Sequence, residues 1–163
     1  MSNDETATGR RALLVAATGI AAIPCARLIG HTPPDSGAQG WFRLAKVNEL
    51  VEGLPKRFAV IADRKDGWVV EQRVEIGAVW LFLRSGKPVA FSASCPHLGC
   101  GVQVKDGGFV CRCHDSNFDA VGKRLDGPSP RDLDALETRI ADGDIFVRFV
   151  RFRAGTQERT ELA

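Results

Sequence analysis

The sequence contains no tyrosine and only three histidines among its 163 residues. No phenolic hydroxyl is therefore available anywhere in the chain as a buried hydrogen-bond donor. The net charge is only +2, and no basic stripe is interleaved with aromatic residues, so the composition gives no support for nucleic-acid binding. No long amphipathic helix pattern follows residue 46. Hydrophobic residues make up 44% and charged residues 26%, which is typical of a soluble domain with a core of its own.

Short apolar runs separated by turn signals continue from Trp41 onward, which is the pattern of β-structure. Asp66-Gly67 and Ser85-Gly86 are typical hairpin turns. The sequence therefore predicts an all-β domain over residues 41–152, followed by a loose polar tail at 153–163. The predicted strands are 41–46, 57–64, 68–75, 78–84, 87–93, 137–141 and 145–150, with a further hairpin at 102–110.

The N-terminal part has a different composition. Residues 1–11 are polar and end in Arg10-Arg11, and an apolar, Ala-rich run occupies residues 12–29. This order resembles a twin-arginine export signal. The apolar run is of marginal length for a transmembrane helix and could serve as an anchor. The alternative is a short Ala-rich helix of the domain. Residues 30–40 are rich in Gly and Pro and are predicted to be a flexible hinge, which spans roughly 35 Å when fully extended.

Two short boxes of cysteine and histidine lie at residues 95–114. Cys95 and His97 belong to the first box, Cys111 and His114 to the second, and each box has a spare cysteine. Two thiolates with two neutral imidazoles suit either zinc or a two-iron cluster that has cysteines on one iron and histidines on the other. A single zinc ion would leave two cysteines without a role. Spacing alone does not decide which cysteine of each box is a ligand.

The two boxes resemble those of Rieske iron–sulfur proteins, and more narrowly those of the Rieske subunits of quinol-oxidising cytochrome bc complexes. The first is residues 95–100, Cys-Pro-His-Leu-Gly-Cys, and the second is residues 111–119, Cys-Arg-Cys-His-Asp-Ser-Asn-Phe-Asp. Residues 127–130, Gly-Pro-Ser-Pro, resemble the proline loop that shields the cluster in that family. The resemblance implies a Rieske-type antiparallel β-sandwich with a smaller cluster-binding subdomain at about 94–131.

The resemblance also implies roles for individual residues. Cys95 and Cys111 would bind one iron of a [2Fe-2S] cluster, and His97 and His114 would bind the other. The spare cysteines, Cys100 and Cys113, would form a disulfide, which persists only in an oxidising compartment. Leu98 would line the docking surface, and Pro128 and Pro130 would shield the cluster.

Position 118 departs from the family pattern. High-potential members have a serine and, two residues later, a tyrosine, and both donate hydrogen bonds to sulfur. Here Ser116 is present, but Phe118 occupies the tyrosine position. Losing a hydrogen bond that stabilises the reduced cluster lowers its potential, so we expect a low-potential protein suited to menaquinol.

The expected function is electron transfer within a quinol–cytochrome c oxidoreductase of a bacterial cytoplasmic membrane. The expected partners are a cytochrome b-type subunit, a c-type cytochrome, quinol and, through a single N-terminal helix, membrane lipid; nucleic acid is not expected. The head would lie on the periplasmic side. The alternatives are the small subunit of a periplasmic molybdenum oxidase of the arsenite oxidase type and a structural zinc module. A catalytic oxygenase is not expected, because it would need a further domain with a mononuclear iron site, and the sequence offers no spare set of histidine and carboxylate ligands for one.

Overall fold

The computed structural model describes residues 40–162. The predicted N-terminal segment, the apolar run and all of the hinge except Gly40 lie outside the described residues. Between residues 40 and 162, the chain forms ten β-strands and one short 3₁₀ helix, Val47–Glu49. The strands are β1 (Gly40–Lys46), β2 (Lys56–Asp66), β3 (Val69–Arg84), β4 (Lys87–Ser92), β5 (Val102–Lys105), β6 (Gly108–Cys111), β7 (Ser116–Phe118), β8 (Arg124–Asp126), β9 (Ala135–Ala141) and β10 (Asp144–Phe149).

The strands form two antiparallel sheets. The large sheet has the order β1-β10-β9-β4-β3-β2, and the small sheet has the order β5-β6-β7-β8. The all-β, antiparallel prediction is therefore confirmed. No helix among residues 40–162 is long and apolar enough to span a membrane.

Two of the predicted strands, 68–75 and 78–84, are one continuous strand in the structure, β3. Ile76 and Gly77 stay extended because β3 continues to pair with β2 across two register shifts instead of ending at a turn. The turns at Gly67 and Ser85-Gly86 are present, and all three residues have positive φ. The three-residue strands β7 and β8 were not predicted, because they are too short to show an alternating pattern.

The main core lies within the large sheet. Its buried residues come from both halves of the sheet, and Phe149 of β10 packs against Gly77 of β3. The two halves are paired directly only through β4 and β9, at Ala90–Leu136 and Phe91–Ala135. The twelve buried members of this core are Phe42, Ala45, Leu50, Val60, Val79, Leu81, Ala90, Leu136, Ile145, Val147, Phe149 and Val150.

A second core joins the large sheet to the small one. Phe91 of β4 meets Phe109 of β6 edge to face, with ring centroids 5.7 Å apart. Trp80 of β3 donates its indole N–H to the carbonyl oxygen of Val102 at 3.0 Å. Aromatic rings and one directed hydrogen bond therefore position the small sheet on the large one.

The C-terminal residues differ from the prediction of a loose tail. Arg153 N donates to Thr160 O at 2.9 Å, and Leu162 N donates to Arg151 O at 2.8 Å. Phe152 and Glu161 form a β-bridge. The prediction was wrong because it was based on the polar side chains of this segment. The contacts that order the segment are mostly backbone hydrogen bonds, which do not depend on side-chain polarity.

Candidate metal centre

The first box is a tight loop between β4 and β5. The chain leaves the large sheet where Ala93 N donates to Ala78 O at 2.9 Å. Within the loop, Cys95 N donates to Cys100 O at 2.7 Å, and Gly99 N donates to Cys95 O at 2.9 Å. The box thus closes on itself, with its two cysteines at the base.

The second box is the turn between β6 and β7. All four residues of β6 are buried, and its last residue, Cys111, pairs with Ser116 at the start of β7. Asp115 has a φ of 53°, a left-handed conformation that Asp adopts more readily than most residues. The turn therefore places Cys111 in the interior and His114 at the surface.

A disulfide links the two boxes. Cys100 and Cys113 are bonded, with their Cα atoms 6.5 Å apart, which confirms the predicted pairing. The sulfur atom of Cys111 lies within 4.8 Å of both disulfide sulfurs. Because a disulfide sulfur is not a thiolate ligand, Cys111 is the only member of that group still able to bind a metal as a thiolate.

Cys95 and Cys111 are the free cysteines of the described residues, and both are buried. Burial raises the pKa of the Cys95 thiol, and the adjacent Cys111 raises it further. The backbone of His97 and the hydroxyl of Ser116 act in the opposite direction through hydrogen bonds. Two thiolates side by side in the interior are costly without a positive charge, and a bound metal ion supplies that charge.

The two histidines of the boxes lie next to each other. The ring centroids of His97 and His114 are 4.7 Å apart, and the ring planes are nearly perpendicular. Nδ1 of His97 is buried and, within residues 40–162, has no hydrogen-bond partner. A buried ring nitrogen is normally paired, so an unpaired one aimed inward suits a metal ligand. The residues present thus fit a cluster with two thiolate and two imidazole ligands.

Ser116 and Phe118, the first and last residues of β7, are buried members of the second box. Ser116 is fully buried, and its hydroxyl accepts a hydrogen bond from Ser129 N at 3.0 Å. Phe118 is 2% exposed and packs in the core that also contains Cys95 and Cys111. The side chain at position 118 is thus close to the cysteines but brings no hydroxyl.

The residues predicted to line the surface occupy different environments. Leu98 is 62% exposed at the tip of the first box, as a docking residue would be. In the proline loop, Pro128 is exposed and Pro130 is partly buried. Gly127, at the start of that loop, lies directly on the backbone of Asp115 and Ser116 and leaves no room for a side chain.

An ion pair next to the proline loop was missed by sequence reasoning. The Arg131 guanidinium donates to both carboxylate oxygens of Asp134, at 2.9 Å each, and both side chains are almost completely buried. The available signal was the position of Arg131 directly after the Gly-Pro-Ser-Pro segment, three residues before an aspartate. Surface pairs with this spacing are common, so the pattern by itself did not indicate burial.

The comparisons with known proteins agree with this site. Residues 40–137 match the Rieske family, described as the Rieske [2Fe-2S] domain. The chain is 29% identical over 118 residues to the menaquinol:cytochrome c reductase iron-sulfur subunit of Bacillus subtilis, covering 69% of each protein. It is also 36% identical over 103 residues, 61% of its length, to the carotenoid phi-ring synthase of Chlorobaculum tepidum, but spans only 15% of that protein.

Among solved structures, the chain is similar to the cyanobacterial plasma membrane Rieske protein PetC3 from Synechocystis PCC 6803. The identity is 36%, the match covers 49% of this chain and 85% of that one, and the TM-score is 0.41. The family match covers more than half of the chain and includes both boxes. The chain therefore belongs to the Rieske family, whose domain binds a [2Fe-2S] cluster.

Proposed function

We propose that Cys95 and Cys111 bind one iron of the [2Fe-2S] cluster and that His97 and His114 bind the other. The observation that carries this assignment is the unpaired, buried Nδ1 of His97, which lies beside the His114 ring. The other two box cysteines are excluded as thiolate ligands because they form the disulfide. When bound, the cluster supplies one-electron redox chemistry.

We further propose that one of these two histidines takes a proton from quinol, and that the cluster, when bound, would supply the acceptor for the electron. With Nδ1 of His97 turned inward, Nε2 is the ring nitrogen left to face a ligand. His114 is exposed, and Leu98, which follows His97 in the chain and is also exposed, would offer an apolar surface for a quinone ring. A quinol hydroxyl hydrogen-bonded to one of these rings could pass its proton directly to Nε2 when that nitrogen is deprotonated, which would leave a neutral imidazole.

The proposed quinol is menaquinol, and position 118 supports this choice. Phe118 is buried with the two free cysteines and has no hydroxyl to donate to sulfur. Without that donor the reduced cluster is less stable, so its potential is lower and matches a more reducing quinol. The similarity to a menaquinol:cytochrome c reductase subunit points in the same direction.

The remaining parts of the proposal concern the rest of the complex. Residues 12–29 would anchor the protein in the bacterial cytoplasmic membrane, and residues 30–40 would act as the hinge. The head, residues 41–152, would lie on the periplasmic side, consistent with a disulfide that requires an oxidising compartment. It would move between a cytochrome b-type subunit, where quinol is oxidised, and a c-type cytochrome.

The test is to purify the full chain from its membranes in detergent and to add a menaquinol analogue. We expect a cytochrome b to co-purify and the cluster to be reduced, as followed by electron paramagnetic resonance. The alternative, a subunit of a molybdenum oxidase, predicts co-purification with a molybdenum protein and no reduction by quinol. That result would overturn the proposed function and leave the cluster assignment intact.

A further inference from the structure

The last twelve described residues, Arg151–Leu162, form a closed loop that we call the strap. Its two ends are joined by the backbone hydrogen bonds of Arg151 and Arg153 described above. Thr156 Oγ1 donates to Glu158 O at 2.8 Å and stiffens the tip. The strap lies beyond residues 40–137, which are the part that matches the Rieske family.

Arg131 holds the strap to the proline-loop side of the domain. Its Nη2 donates to Arg153 O at 2.9 Å, and its Nη1 donates to Thr156 O. Nε and the second N–H of Nη2 donate to Asp134, which binds the guanidinium in bidentate fashion, so four of its five N–H groups are paired. The side chains of Arg131 and Asp134 are only 10% and 6% exposed, so solvent screens this pair little. One guanidinium thus joins two segments that are about twenty residues apart in the chain.

The strap in turn contacts the first box. Gly155 N donates to Pro96 O at 2.8 Å, which fixes the peptide immediately before His97. Gly155 has a φ of +75°, and a Cβ added there would lie 3.5 Å from the carbonyl oxygen of His97. A cavity of about 190 Å³ lies beneath the loop, lined by residues that include Cys95, Pro96, Arg131 and Ala154. Beside this cavity, the Gly155 hydrogen bond ties the loop to the strap.

The segment that carries Arg131 also contacts the second box. Ser129 N donates to the Ser116 hydroxyl, and Ser129 Oγ donates to Arg131 O at 2.8 Å. The segment 127–134 therefore touches the second box directly and reaches the first box through the strap. It forms a second connection between the boxes, in addition to the Cys100–Cys113 disulfide.

We propose that Arg131 is a positioning residue that, through the strap, holds the Pro96–His97 backbone in place for metal binding. The inference rests on the ligand role of His97 in the proposed function. Arg131 acts through Gly155 and touches neither the cluster nor the quinol. Releasing the strap is expected to loosen His97 and to let the cluster escape more readily.

The test compares three variants of the full chain. Arg131→Gln removes the positive charge and part of the hydrogen-bonding guanidinium. Gly155→Ala keeps Arg131 but strains the backbone at position 155, whose φ is +75° and whose N–H donates to Pro96 O. The matched control is Gly143→Ala: Gly143 has a similar φ, +79°, but lies in the β9–β10 turn with nothing near an added Cβ. The measurements are the rate of cluster loss to a chelator, the electron paramagnetic resonance spectrum of the reduced protein, and hydrogen exchange at the Gly155 amide.

For Arg131→Gln and Gly155→Ala we expect cluster loss at least tenfold faster than in the wild type, a shifted spectrum and faster exchange at position 155. Gly143→Ala should keep the wild-type spectrum and a rate of cluster loss within twofold of wild type. An unchanged spectrum and cluster lifetime in Gly155→Ala, or equal changes in the control, would overturn the proposal. If Arg131→Gln does not fold, the rate of cluster loss and the spectrum of Gly155→Ala test the proposal. No readout involves quinol or a cytochrome, so failure of the quinol proposal would leave this test intact.

Discussion

The two sheets share an antiparallel design but are stabilised by different means. The core of the large sheet contains twelve buried residues, and all of them are apolar. The core around the small sheet combines phenylalanines with Cys95 and Cys111, and a disulfide joins its two loops. The described part of the chain has four buried polar residues. Ser116 lies in the small sheet and Ser129 N donates to its hydroxyl, whereas Ser92 lies in the large sheet and Asp134 directly precedes β9 of that sheet.

The large sheet therefore accounts mainly for the stability of the fold, and the small sheet and its loops carry the proposed metal site. The large sheet is stabilised by the removal of apolar surface from water, which needs no metal and no particular redox state. The small sheet has strands of only three or four residues, too short to be stable by themselves. Its loops are held by a covalent cross-link, directed hydrogen bonds and, when loaded, the cluster. We therefore expect changes in the two regions to have separable effects.

The largest effect is expected from removing one of the four proposed ligands. Cys111→Ser should abolish the visible absorption of the cluster, because a serine hydroxyl is not a soft thiolate. The amide signals of β1 to β4 in a nuclear magnetic resonance spectrum should remain close to those of the wild type. Cys25→Ser, a cysteine outside both boxes, is the control and should retain the full cluster. Loss of the large-sheet signals in Cys111→Ser would contradict the expectation that the large sheet folds independently of the cluster.

A large change confined to stability is expected from the large sheet. Leu81 is completely buried in its core, and Leu81→Ala should lower the free energy of unfolding by about 2–5 kcal/mol. Denaturant unfolding followed by circular dichroism measures this loss. The midpoint potential of the cluster should not change, because Leu81 belongs to the other core. A shifted potential would show that the two regions are coupled.

Removing the disulfide should affect the small sheet selectively. The double variant Cys100→Ser/Cys113→Ser should lose about 2–4 kcal/mol of stability, the usual contribution of a native disulfide. Cluster release should become faster, because the two loops are then joined mainly through the segment 127–134. Adding a reductant to the wild type should reproduce the same acceleration. Equal rates of cluster release with and without the disulfide would contradict the role given to this cross-link.

The smallest effect is expected at position 118. Phe118→Tyr places a hydroxyl near the buried cysteines, and a hydrogen bond of about 1 kcal/mol corresponds to a rise in potential of roughly 40 mV. Redox titration measures this rise. Phe91→Tyr, in the same core, is the matched control and should lower stability without raising the potential. No rise in Phe118→Tyr, or an equal rise in both variants, would remove the explanation for a low potential.

The parts that the sequence predicted are those with a local signal. Alternation and turn residues indicated most strands of the large sheet. The resemblance of the two boxes to those of Rieske proteins indicated Cys95, His97, Cys111 and His114 as the site. The strap escaped prediction because its contacts are backbone hydrogen bonds such as that from Gly155 N to Pro96 O. The Arg131–Asp134 pair also escaped prediction, because burial of an ion pair depends on tertiary packing that residue spacing does not encode.

The central claim is that two histidines and two cysteines of the boxes hold the cluster. The most direct measurement is hyperfine spectroscopy of the reduced full chain, produced with ¹⁵N-labelled histidine. We predict that nitrogens from two histidines couple to the reduced cluster in the wild type. In His97→Ser, the coupling from two histidines should be lost. A cluster without coupled histidine nitrogens, or an unchanged spectrum in His97→Ser, would contradict it.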